Sequence, residues 1–219
     1  MHKFNYICSI ILVITLPLMI VILSSNLVLR MSGTYNYHFN DSQVMDEIPY
    51  NVTGKEMAEG ITSYLNSFGG EAFQVYEKNG NYKDPIFEED DQKAMKKARN
   101  IFNIDFAIGF LCFALTLAIY IYLWKGGFTK ALRKRYYTGA AITAAILIGQ
   151  IILWMIKPAR GWIYRNLFGT LGKESIIMEL IGDPFFKTYM LFATVLGVAL
   201  LAVLTYVNHQ LTKPERIFY

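Results

Sequence analysis

Charged residues are absent from four long stretches of the chain: between Lys3 and Arg30, from Phe106 to Trp124, from Tyr136 to Ile156, and from Thr188 to Thr212. Each stretch is rich in Ile, Leu, Val, Ala and Phe, and each is close to or above the roughly 20 residues a helix needs to cross a hydrocarbon core. An ionised side chain is costly in that environment, so uninterrupted apolar runs of this length predict four membrane-crossing helices. The expected divisions are a cytoplasmic end and first crossing over 1–30, an outer segment over 31–103, a second crossing over 104–124 and a basic linker over 125–137. A third crossing over 138–156, an outer amphipathic loop over 157–187, a fourth crossing over 188–208 and a tail over 209–219 complete the chain. The expected fold class is an all-α polytopic membrane protein with a small α+β outer segment. Lys3 before the first apolar run and Ser24 and Ser25 within it also fit a cleaved signal peptide, but Ile7–Leu29 is long for such a peptide and favours a retained anchor.

The polar pattern between the first two crossings carries its own elements. Thr53-Gly54-Lys55-Glu56 reads as a capping box, and Met57, Ile61 and Leu65 follow at a spacing of four, predicting an amphipathic helix stopped by Gly69-Gly70. Phe73 and Val75 then alternate with Gln74 and Tyr76, and Asn79-Gly80 supplies turn residues, predicting a hairpin that returns over Asn81–Lys83. Glu88, Glu89, Asp90 and Asp91 precede Lys93, Lys96, Lys97 and Arg99, an order that complements a helix dipole and predicts a solvated helix leading into the second crossing.

Charge adds orientation. The linker holds Lys125, Lys130, Arg133, Lys134 and Arg135 with no acid among them, which marks it as cytoplasmic. Both termini then lie inside, including Lys213 and Arg216 of the tail, and 31–103 and 157–187 lie outside. The first outer segment holds seven Lys or Arg against twelve Asp or Glu, as expected for a segment without the inside bias. The net charge of +4 comes largely from the linker, so it points to anionic lipid and offers no case for nucleic acid. Cys8 and Cys112 both fall within crossings, which excludes an outer segment stapled by disulfides. No phosphate loop, nucleophile elbow or paired His/Cys at metal spacing is present, so no cofactor or metal is expected. Ser63 and Ser175 stand without a local signature.

Candidate polar groups are few. Gln150 is deep in the third crossing and Asp105 at the mouth of the second; both are candidates to line a groove. Ala141, Ala145 and Gly149, and Ala193 with Gly197, form small-residue ridges suited to close helix packing. Trp154, Trp162 and Tyr164 suit a membrane interface, where Arg160 and Arg165 would meet lipid phosphates.

The order of these parts resembles a known family. The run Tyr35–Phe39, the capped helix, Ile86-Phe87-Glu88-Glu89 before a helix containing Met95, and Leu167-Phe168 with Asp183-Pro184-Phe185-Phe186 before the last crossing look like the lipoprotein intramolecular transacylases of Gram-positive bacteria. The resemblance implies a bacterial membrane protein acting on the acylated N-terminus of a lipoprotein, moving an acyl chain onto the N-terminal cysteine's amine. It also implies two outward-facing histidines, at positions held here by Ala94 or its neighbour and by Arg165. The three histidines of this chain are His2 and His209, expected inside, and His38, expected at the outer surface and the one weak catalytic candidate. The expected function is therefore a diverged relative that binds an acylated lipid or lipoprotein N-terminus in an outward-facing groove, an acyltransferase-like scaffold without the expected imidazoles. The alternative is a non-catalytic membrane module that binds a protein partner through its outer segment.

Overall fold

The computed structural model describes residues 2–67, 70, 72–79, 82–169 and 175–213. Gly69 of the expected helix stop, Gly80 and Asn81 of the hairpin turn, and Arg216 of the tail lie outside the described residues.

The elements run α1 (His2–Leu29), α2 (Ser32–Ser42), α3 (Val44–Glu47), α4 (Gly54–Asn66), β1 (Tyr76–Asn79), β2 (Tyr82–Pro85), α5 (Glu89–Lys125), α6 (Thr129–Met155), α7 (Lys157–Phe168), α8 (Ile176–Leu180) and α9 (Asp183–Leu211). Among the described residues, four helices are long and apolar enough to cross a membrane: Lys3–Leu29, Glu89–Lys125, Thr129–Met155 and Pro184–Leu211. The chain is thus a multi-pass membrane protein of the expected class. Pro17 sits inside α1, where its missing N–H is tolerated as it is in other buried crossings.

Contacts divide the chain into two units. A bundle unit takes 1–25, 106–150 and 193–219, and a mixed unit takes 26–105 and 151–192. The core of the bundle unit joins Leu16, Met19, Ile20, Cys112 and Tyr136, with Leu12, Leu123 and Leu132 forming a second cluster. Close approach is made possible by Gly109 and by Gly197, the latter on the small-residue ridge expected in the fourth crossing, while the ridge expected in the third crossing is not packed. A Cβ on Gly109 would come within 2.9 Å of Ile22, and one on Gly197 within 2.9 Å of Leu147, whereas Gly149 has open space around it and Ala141 and Ala145 are exposed. The packed face of α6 instead runs through Tyr136, Thr143 and Leu147, all buried at helical spacing. At the end of α5, Gly127 adopts φ 77°, and Phe128 N–H donates to Leu123 O at 3.0 Å, a Schellman closure that turns the chain into α6.

In the mixed unit, the capping box forms as the residues predict. Glu56 N–H donates to Thr53 Oγ1 at 3.2 Å, and Thr53 N–H donates to Glu56 Oε2 at 3.1 Å. Met57, Ile61 and Leu65 are buried, and α4 ends at Asn66, before the glycines. β1 and β2 pair antiparallel, Tyr76 opposite Pro85 and Asn79 opposite Tyr82, so Phe73 and Val75 precede the strand and are buried against the unit's core. The segment 157–187 is largely helical, with α7, α8 and the start of α9 where an amphipathic loop was expected. Pro158 at the first turn of α7 suits a helix start.

Candidate functional site

The mixed unit places three groups of chemistry-bearing side chains, and α5 contributes to each. Its first turns bury Asp91, Ala94, Met95, Ala98 and Arg99. The expectation of a solvated helix is corrected here: the apolar positions 94, 95 and 98 form an inward stripe, and the same helical face carries Asp91 and Arg99 inward with it.

The first group surrounds Arg99. Its guanidinium lies 4.3 Å from the centre of the Tyr64 ring, and Nη1 donates to Ser67 Oγ at 3.1 Å. Arg99 and Tyr64 line a cavity of about 400 Å³ together with Phe73, Gln92, Lys96 and Glu89. Burial pushes the Tyr64 hydroxyl above its ordinary pKa, and the neighbouring Arg99 charge opposes that rise. Lys93 at the rim is held by Glu89 at 2.8 Å and by Asp90 at 3.4 Å. The cavity therefore combines cationic and amide donors, an aromatic wall and one carboxylate.

The second group is aromatic. Tyr35 stacks on Phe185 at 4.7 Å, Phe185 meets Phe186 edge-on at 5.7 Å, and Trp154 stacks on Phe186 at 5.1 Å. His38 belongs to this cluster, 5.5 Å from Phe185 and only 3% exposed. The expectation of a surface histidine is thus corrected, because Tyr35, His38 and Phe39 share the buried face of α2, a helix that the sequence pattern did not announce. His38 is hydrogen-bonded to the Leu180 backbone, and burial lowers its pKa more than that bond and the Asp41 charge raise it. Its ring is therefore held neutral at ordinary pH. Around this cluster the free space is about 10 Å³, lined by Tyr35, Met95, Phe168 and Phe185 among others, which is room for about one water and not for an acyl chain.

The third group ties segments together. Arg30 donates through Nη2 to Asn103 Oδ1 at 2.6 Å and through Nη1 to the Leu65 carbonyl, while its own carbonyl accepts from Asn66 Nδ2 at 3.3 Å. Ser175 Oγ donates to Asp91 Oδ1 at 2.6 Å, joining the approach to α8 to the first turn of α5. Neither Arg30 nor the Asp91–Ser175 pair was marked by the sequence as a contact. The inward stripe of α5, continued back from Ala94 and Ala98, is the signal that would have found Asp91.

The remaining expected site residues do not gather with these groups. Arg160 is half-buried and Arg165 exposed on α7. Five residues apart, they point roughly 140° apart around the helix axis, so they do not form one clamp. Asp105 is half-buried on α5, and Gln150 on α6 belongs to the bundle unit. None of these four residues, nor His38, lines the 400 Å³ cavity or the void by Phe185. Among the described residues, no cluster of His, Cys, Asp and Glu could hold a metal ion.

The family described as lipoprotein intramolecular transacylase Lit matches residues 10–163. No curated protein matches the chain. Among solved structures, the chain is similar to the membrane-integral lipoprotein intramolecular transacylase Lit from Bacillus cereus, with a TM-score of 0.73, 14% identity and coverage of 96% of this chain and 98% of that one. It is also similar to two variants of that protein in which one histidine is replaced, by alanine in one case and by arginine in the other. Each superposes at a TM-score of 0.76 with 13% identity over 99% of this chain, and over 97% and 95% of theirs. At these identities the likeness establishes the fold.

Proposed function

Because this chain belongs to the lipoprotein intramolecular transacylase family, we propose that it binds the acylated N-terminus of a membrane lipoprotein at the outer face of a bacterial cell membrane, without moving the acyl chain. The cavity around Arg99 carries the reading. A diacylglyceryl-modified cysteine presents ester and peptide carbonyls together with a free amine. Arg99, Lys96 and Gln92 offer donors to such carbonyls, and Glu89 offers a carboxylate to such an amine. Arg160 and Arg165 contribute separately, each meeting a lipid headgroup from its own face of α7. Asp105 and Gln150 act as polar contacts on their helices.

The basic linker Lys125–Tyr137 supports a cytoplasmic position for both termini, with the mixed unit outside. Acyl transfer to an amine calls for a base and for stabilisation of an oxyanion. His38 is the one histidine within the mixed unit, and its ring is enclosed by Phe39 and Phe185. That enclosure gives the imidazole a packing role in α2 and keeps a substrate amine out of its reach.

The test is a titration of the full-length protein in detergent with a synthetic peptide carrying a diacylglyceryl cysteine, against the same peptide without lipid. The lipidated peptide should bind more tightly, and Arg99→Ala and the exposed-site variant Lys96→Glu should each weaken it by about tenfold, the effect of losing a charged hydrogen bond. Equal binding of both peptides, or indifference to both substitutions, would refute the assignment.

A further inference from the structure

The bundle unit contains a cavity of about 260 Å³ next to the basic linker, and it has no counterpart in the function proposed above. Its walls are almost wholly apolar, including Leu16, Met19, Leu117 and Leu204, and several of them, Leu117 and Trp124 among them, are also exposed on the bundle's outer surface. A space bounded this way is reached from hydrocarbon. The polar side chains in the wall are Thr116, Tyr120, Tyr136, Asn208 and the Trp124 indole. Thr116 donates to Thr15 at 2.8 Å, Tyr136 pairs with Thr205 at 3.2 Å, and Tyr120 donates to Asn208 Oδ1 at 3.0 Å. Asn208 is 1% exposed, and its Nδ2 has no hydrogen-bond partner among the described residues. With Oδ1 accepting from Tyr120, the unmet group is a donor, the complement of a carbonyl oxygen.

A buried amide without a partner is costly inside a membrane, where no water substitutes for the missing bond. The cavity walls carry no ionised group, which disfavours a charged headgroup and favours a hydrocarbon chain. We infer that this cavity holds one acyl chain of a bilayer lipid, seated in the apolar walls with its ester carbonyl accepting a hydrogen bond from Asn208. The Tyr120 hydroxyl orients the amide from the other side. The site is a lipid seat within the crossings, separate from the recognition of a lipoprotein by the mixed unit, and it stands whether or not that recognition occurs.

Native mass spectrometry of the full-length protein, released from micelles after incubation with phosphatidylglycerol, reads the site directly. One ester-linked lipid should remain bound per chain. Its ether-linked analogue, which lacks the carbonyls, should be retained about fivefold less, as expected for one neutral hydrogen bond. Asn208→Leu should abolish the preference for the ester. Leu117→Trp, at a lipid-exposed wall position that leaves Asn208 and Tyr120 in place, should fill the cavity and release the lipid. Equal retention of ester and ether lipids by the native protein would overturn the role of Asn208. Retention unaffected by Leu117→Trp would mean the lipid sits elsewhere, and no retained lipid at all would overturn the site.

Discussion

The bundle unit and the mixed unit each bury an apolar core, but they differ in what else they bury and in what they expose. In the bundle, Phe110, Leu111 and Val203 are about 60% exposed, while hydroxyl and amide groups such as Thr15, Thr116 and Asn208 are buried. In the mixed unit, Tyr35, Phe73 and Phe185 are 1% exposed, and long charged side chains such as Lys55, Glu59 and Lys93 project outward. The contrast shows what holds each part together. Apolar burial drives the mixed unit as it drives a water-soluble domain, whereas the bundle has lipid on its surface and depends on close packing and a few internal hydrogen bonds.

Truncation of an aromatic should therefore have the largest effect, and in the mixed unit. Phe185→Ala removes the ring that touches Tyr35, His38, Phe186 and Tyr189, and it should cost about 3–5 kcal/mol, read as a lowered thermal unfolding midpoint in detergent. A comparably large loss from trimming the exposed Phe110 would erase the distinction between the units. In the bundle, a packing defect should matter more than a lost apolar group. Gly109→Val places a Cβ 2.9 Å from Ile22 and 3.0 Å from Leu23, and should destabilise by about 1–3 kcal/mol in the same assay.

Smaller effects sharpen the comparison. Thr53→Ala breaks the capping box of α4 and should cost about 1 kcal/mol, seen as faster amide hydrogen exchange in the first turn of that helix. The smallest is the bond between Thr116 and Thr15. A double-mutant cycle with valine at each position should return a coupling of about 0.6 kcal/mol, since membrane-buried hydrogen bonds compete with alternative partners in the unfolded state.

What the sequence made legible follows the range of the interaction. The four crossings were readable because hydrocarbon excludes charge over each whole segment. The capping box was readable because Thr53 and Glu56 are three residues apart. Arg30 with Asn103 and Asp91 with Ser175 are separated by 73 and 84 residues, and no local pattern announces either pair. Helix α2 was missed because Tyr35, Asn36, Tyr37, His38, Phe39 and Asn40 have modest helix propensity, and the burial of Tyr35 and His38 against Phe185 decides the structure. For the same reason His38 was expected at the surface. Arg160 and Arg165 were seen as residues suited to phosphate, but their divergence on α7 became visible only once the segment was known to be helical.

The central claim is that this chain keeps the transacylase fold for binding and does not transfer an acyl chain. Tandem mass spectrometry of lipoprotein N-termini from cells with and without the protein tests it most directly. The cysteine amine should carry the same group in both, and the glycerol should keep both of its acyl chains. Lyso-form lipoproteins that appear only when the protein is present would contradict it.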